Sequence, residues 1–274
     1  MTAEPVSRKR RAGWRAYARW SVLAAMALLA AFGGLLAPKD PNEQDLSNAF
    51  CSPSQACPLG TDQLGRDYLS RLLDGAHTTL GTCLLIMLIG VVVGGLLGFA
   101  AGFLGGWFDV LLMRCADMIM VFPGILLALI AVAIAGPGLK TAIIAVAISE
   151  VPPTARLARA AMLTCREQLY VDSARVAGAR GGVLLVRHLV PNAIGPLLSQ
   201  ASLIAADAIL IVAGLGYLGL GAQPPTAEWG AMLSDSQNYI DTAWYLMAAP
   251  ALAILLAALM FNVIGERIRL RTAD

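Results

Sequence analysis

Charge is what this sequence has least of. Of its 274 residues, 14% are Asp, Glu, Lys or Arg and 58% are hydrophobic, where a soluble domain carries about 25% charged residues. That shortfall excludes a water-bathed globule with one apolar core. Histidine is also scarce, with only His77 and His188, so no metal site and no histidine-driven hydrolase is expected. The five cysteines form no CxxC pair and no zinc spacing, and neither HExxH nor GxSxG occurs. A phosphate-binding loop is missing too. Gly136-Pro137-Gly138-Leu139-Lys140-Thr141 has the wrong spacing for one, and Gly214-Leu215-Gly216-Tyr217-Leu218-Gly219 fits GxGxxG but ends an apolar run instead of joining a strand to a helix. Hydrolysis of ATP by this chain alone is therefore not expected, and no cofactor is expected on it. Nucleic acid is not implied, because the basic residues sit beside apolar runs and not on one soluble face.

What is present is a series of apolar runs, each near the 20 or so residues that cross a bilayer. They predict an all-α, polytopic membrane protein with six transmembrane helices. Residues 1–19 are short, polar and basic and are expected in the cytoplasm. Residues 20–37 form the first span, read as uncleaved because no small-x-small cleavage signal is clear before Pro38. Residues 38–78 form a polar extracytoplasmic loop. Residues 79–265 hold five more spans, with a cytoplasmic segment at 165–192 between the fourth and fifth, and residues 266–274 form a cytoplasmic tail. Of the twenty Lys and Arg, six lie in the N-terminal segment, six between Arg156 and Arg187, and three in the tail, while the loop after the fifth span has none. The positive-inside rule then places both termini and the 165–192 segment in the cytoplasm.

Several features within the spans invite a role. Glycines at 90, 94, 98, 102 and 106 recur every fourth residue and cut a groove along one face of the second span, suited to close helix packing. The third span is expected over 107–135, with Arg114 close enough to Asp117 for an ion pair. In the fourth span, residues 140–163, Pro152-Pro153 predicts a kink or break, with Glu150 beside it; Asp207 lies inside the fifth. Acids within a membrane are functional candidates by default, and a satisfied structural Glu150 capping a broken helix is an equal reading. Cys51 and Cys57 could close a small disulfide ring if their loop is extracytoplasmic, or remain thiols.

The stretch 166–192 is a polar, basic island between apolar runs. Residues 167–177 suit a short amphipathic helix, Gly178, Gly181 and Gly182 break it, and a second short helix, 183–189, is expected to stop near Pro191. Such a helix-turn-helix is either a docking knob for a soluble partner or a solvated connector. Its details resemble the coupling loop of binding-protein-dependent ABC importer permeases. Asp172-Ser173-Ala174 stands where that family has Glu-Ala-Ala, Gly178 follows after three residues, and His188-Leu189-Val190-Pro191 follows after nine more, closed by Asn192. Two further segments resemble the peptide and nickel branch of that family: Leu59 to Asp67, with Gly60, Thr61, Asp62, Gly65, Arg66 and Asp67, and the run Gln223-Pro224-Pro225-Thr226, then Trp229-Gly230. The closing Phe261-Asn262-Val263-Ile264-Gly265-Glu266 is similar as well. Two positions depart from the pattern at the end of the fifth span, where Val212 and Gly216 replace the family's Glu and Ser.

The resemblance implies a type I ABC importer permease fold in a bacterial inner membrane. It also implies a second, related permease subunit, two ATP-binding subunits that use ATP and Mg, an extracytoplasmic solute-binding protein, and a surrounding bilayer. It makes Asp172, Ser173, Ala174, Gly178, His188, Pro191 and Asn192 the ATPase-coupling residues. Small peptides lead as cargo, with nickel or a metal chelate as the alternative. A stand-alone secondary transporter would need inverted repeats or a path of charges, and Glu150 and Asp207 make a thin one.

Overall fold

The computed structural model describes residues 28–55, 57–179 and 181–272. Residues 1–19 and the first eight residues of the expected first span, 20–37, lie outside them; its described part ends in a short 3-10 turn, Gly33–Leu36. The described residues are helices and loops, with an isolated β-bridge between Thr61 and Asp67. Two compact units divide the chain, Met1–Gly81 and Thr82–Asp274.

The first unit is a loop folded on the start of a long helix, α1 (Tyr68–Leu104). Gly33 lies against the backbone of Leu73 and His77, so a side chain at 33 would collide with α1. The ring nitrogen Nδ1 of His77 lies 2.6 Å from the carbonyl of Ala30. Asp45 organises the middle of the loop: its carboxylate accepts from the amide and hydroxyl of Ser47 and from the side chain of Asn48. These donors hold its carboxyl below the usual value.

In the second unit α1 continues into α2 (Gly106–Met120), α3 (Gly124–Ala135) and α4 (Leu139–Arg166). The 166–192 region follows as α5 (Leu169–Val176), α6 (Gly181–Leu184), a π turn at Leu185–Leu189 and α7 (Val190–Ala193). Then come α8 (Gly195–Tyr217), α9 (Trp229–Ser236) and α10 (Trp244–Thr272). The glycine groove of α1 faces α4. A β-carbon on Gly94 would sit 2.7 Å from Cβ of Thr154, one on Gly102 would sit 2.8 Å from Cβ of Met162, and one on Gly98 would strike the Ala155 carbonyl. Without water to drive them together, membrane helices associate through such backbone-close packing. On the other side α8 packs along α10, where Gly265 admits Ser202, and α9 folds back onto both.

Two expectations change here. The 107–135 span is not one helix: α2 and α3 meet at 85° across the break that ends in Pro123. Proline cannot donate to the preceding turn and disfavours helix at the residue before it. Conversely, Pro152 and Pro153 do not break α4, which is continuous through both. Ser149 Oγ donates to the Val146 carbonyl at 2.7 Å and Thr154 Oγ1 to the Glu150 carbonyl at 2.8 Å. Glu150 therefore caps no broken end. Among the described residues three helices are long and apolar enough to cross a membrane, Tyr68–Leu104, Gly195–Tyr217 and Trp244–Leu270, with the bent α2–α3 pair as a fourth. α4 is as long, but Lys140, Glu150, Arg156, Arg159 and Arg166 dilute its apolar character.

Candidate functional site

The 166–192 segment has two faces. Inward, Val171, Leu184, Leu189 and Ala193 are buried in a cluster with Phe99 of α1, Ala158 and Met162 of α4, and Leu197 of α8. Burying a Val or Leu side chain contributes about 1.5–3 kcal/mol, so the segment is fastened to three long helices by its own apolar side. Outward, Leu169 is 84% exposed and Val176 91%, with Val183 and Val186 exposed beside them. An apolar outer face on a segment already anchored is a surface suited to another protein.

Gly178 sets the turn. Its φ is +93°, its amide donates to the Arg175 carbonyl, and the next amide, Ala179, donates to Ala174. This pair of bonds is the Schellman closure, which needs a left-handed residue at the position of Gly178. Asp172 lies in the first turn of α5 and pairs with Arg175, Oδ1 to Nη1, at 3.0 Å. Ser173 Oγ donates to the Leu169 carbonyl at 3.1 Å, and Ala174 packs against the buried cluster. The second helix runs past its expected end. Pro191 sits in the first turn of α7, where its missing N–H costs nothing. The residues before it widen to a π turn whose closing amide, Val190, donates to Leu185. Asn192 Nδ2 donates to the His188 carbonyl at 2.6 Å.

The first loop motif is a self-contained knot. Buried Asp62 accepts from Arg66 Nε at 2.6 Å and from the amides of Leu64 and Arg66, and Arg71 Nε lies 3.6 Å from it. Asp67 accepts from the amide and hydroxyl of Ser70. Thr61 Oγ1 donates to the Asn48 carbonyl and accepts from the Cys51 amide. Gly60 and Gly65 adopt positive φ, and Gly65 lies flush on the Asp45 backbone. Buried this deeply and turned on one another, these groups shape the loop. Cys51 and Cys57 are not joined by a disulfide. The backbone of Cys51 is committed to Thr61, and Cys57 Sγ receives Lys39 Nζ at 3.9 Å.

The second motif places a residue that sequence reasoning missed. Glu228 is fully buried, and its carboxylate accepts from the amides of Gly230 and Ala231, each at 2.9 Å, capping α9. An acid immediately before a helix is the available signal. Glu228 explains one departure in the sequence: any β-carbon at Gly216 would run into its Oε2, so Ser would not fit there. Gly230 rests on the Ala213 backbone, Trp229 is buried, and Gln223 Nε2 donates to the carbonyls of Gly219 and Gly221. Pro224 and Pro225 shape the same loop.

Glu150 on α4 is half-buried beside Gly90 and Asp207 on α8 is exposed, within electrostatic reach of each other. The expected Arg114–Asp117 pair is replaced. Asp117 pairs with Arg156, and Asp109 forms a two-pronged bond with Arg159, at 2.5 and 2.6 Å. Both acids point across to α4, which the local spacing of α2 could not reveal. Arg71, Arg156 and Arg159 went unnoticed as partners for the same reason.

Comparison with known proteins gives this geometry a context. Residues 94–273 match the family described as binding-protein-dependent transport system inner membrane component. A probable D,D-dipeptide transport system permease protein of Escherichia coli is 41% identical over 248 residues, covering 90% of this chain and 83% of that one. A di/tripeptide transport system permease protein of Pseudomonas aeruginosa is 44% identical, covering 88% and 81%. A glutathione transport system permease protein of Pectobacterium atrosepticum is 38% identical, covering 93% and 88%. In fold, the chain is similar to the MetNI methionine ABC transporter in an inward-facing conformation, with a TM-score of 0.54 at 18% identity over 70% of this chain and 94% of that one. With a family match over most of its length, relatives near 40% identity and this architecture, the chain belongs to the binding-protein-dependent inner-membrane permeases of ABC importers, with the type I permease fold.

Proposed function

We propose that this chain is the membrane-spanning subunit of an ATP-driven importer of small peptides. The observation that carries the reading is the double-faced 166–192 segment: an apolar inner face built into α1, α4 and α8, and an apolar outer face open to a partner. The relatives described above are named for dipeptides, di- or tripeptides and glutathione, and all of these are peptides. That favours peptide over nickel.

The parts suggest the sequence of events. Two ATP-binding subunits in the cytoplasm grip the outer face at Leu169 and Val176. ATP is bound there with Mg and hydrolysed there, and this chain contributes no catalytic group. As those subunits close and open, the segment moves, and the buried cluster obliges α4 and α8 to move with it. A second permease subunit forms the other half of the pathway, and an extracytoplasmic binding protein delivers cargo at the side holding the two loop motifs. N- and C-termini lie in the cytoplasm, as the distribution of Lys and Arg supports.

Reconstitution of the chain with its companion subunits in liposomes tests the reading. Uptake of a labelled dipeptide should depend on ATP and on the binding protein. Uptake of nickel in place of peptide, or peptide uptake by this chain alone, would overturn it.

A further inference from the structure

The joint between α1 and α2 is two glycines, Gly105 and Gly106, with φ of +68° and +61°. No neighbouring atom lies within 4 Å of where either would carry a β-carbon. The joint's own backbone bonds run from the Gly105 amide to the Ala101 carbonyl and from the Asp109 amide to the Gly105 carbonyl, and no side chain on the β-carbon side of either glycine braces the angle of α2 to α1. What holds it comes from α4, on both sides of the joint. Before it, Arg166 Nη1 donates to the carbonyls of Gly102 at 2.6 Å and Phe103 at 3.2 Å, the exposed end of the α1 backbone ladder. After it, Arg159 grips Asp109 in the first turn of α2 with two parallel bonds, Nε to Oδ1 at 2.5 Å and Nη2 to Oδ2 at 2.6 Å. Arg156 reaches Asp117 further along. A guanidinium fork on a carboxylate fixes direction as well as distance, and the Asp109 side chain is only 13% exposed. α4 in turn runs directly into α5 and shares the buried cluster with it through Ala158 and Met162.

We propose that the Arg159–Asp109 fork is the link through which movement of the coupling segment reaches α2 and the bent α2–α3 pair, turning about Gly105–Gly106. Arg159 and Asp109 are then positioning residues for transport. The proposal rests on the importer reading and adds to it a route. When the ATP-binding subunits displace α5, α4 follows as a rigid rod. Arg166 keeps the end of α1 in register, and Arg159 swings α2 relative to it. The far end of α2 carries the 85° break to α3, whose first residue, Gly124, faces Ser149 of α4: a β-carbon on Gly124 would sit 3.2 Å from Ser149 Oγ. α4 thus bears on α2 and on the start of α3 alike.

The test is peptide imported per ATP hydrolysed, in proteoliposomes holding the complete importer and normalised to assembled complex. Asp109→Asn should lower this ratio about fivefold or more, the span of ordinary coupling energies. Arg159→Asp combined with Asp109→Arg should restore it to within about twofold, since a reversed pair re-forms the link. Gly106→Ala, which leaves both charges in place and disfavours the open joint, should lower the ratio as Asp109→Asn does. An unchanged ratio in Asp109→Asn overturns the proposal, as does a fall in transport and ATPase in equal proportion, which is the mark of a pair that only stabilises the fold. If the parent complex hydrolyses ATP and imports no peptide, the importer reading falls and the link with it.

Discussion

At the scale of single residues, two glycines and one acid carry specific tasks. Gly178 closes α5 from the left-handed region, and its surroundings are open. Gly178→Ala is therefore expected to act through backbone strain alone, about 1–2 kcal/mol. Hydrogen exchange at the amides of Gly178 and Ala179 should accelerate, and Gly178→Asn should be milder because Asn tolerates that region. The buried Glu228 holds two backbone amides of α9 as a charged acceptor. Hydrogen bonds to charged groups contribute about 1.5–3 kcal/mol, so Glu228→Gln should lower the melting temperature of the purified chain. Gly216→Ser should do the same by a different route, by filling the space of the carboxylate. Of this scale, the Asp62–Arg66 pair could be read from the sequence, because the two lie four residues apart around the turn at Gly65, whereas the bond of Asp67 to Ser70 depends on the start of α1. Glu228 could not be weighed, since its burial depends on α8 passing behind it.

Elements were readable where they are governed by local pattern, and misread where a neighbour decides. The four-residue glycine repeat foretold a groove on α1, and from Gly90 to Gly102 the groove receives α4 from Glu150 to Met162; Gly106, the last of the repeat, lies beyond it at the start of α2. Gly98→Ile should be among the most damaging changes in the chain, because it would drive a branched side chain into the Ala155 carbonyl and Ala158. Overpacking costs about 1–3 kcal/mol or more, and detergent-stable protein should be lost. The bend between α2 and α3 and the continuity of α4 went the other way from expectation. A Pro pair looks like a stop, yet α4 runs through Pro152 and Pro153, while the lone Pro123 stands at an 85° break. Which prolines a helix absorbs is settled by rotamers and packing, and no spacing rule contains that.

At the scale of the whole molecule, family and architecture were readable because four motifs fall in order along the chain, while the routes between them were not. The outer face of the coupling segment makes a separable prediction. Leu169→Asp with Val176→Asp changes only exposed side chains, so the chain should still fold and insert. Co-purification of the ATP-binding subunit should fall about tenfold or more, as for loss of contacts worth more than 1 kcal/mol each. Retained co-purification would move the docking surface elsewhere.

The shortness of α3 has a last consequence. Twelve residues of helix extend about 18 Å, and the oily interior of a bilayer is about 30 Å deep. A wall so low cannot by itself insulate one compartment from the other. Over the remaining depth, either a neighbouring polypeptide supplies the missing height or solvent reaches in, and a polar solute would then have a thinner barrier to cross there than beside α1, α8 or α10.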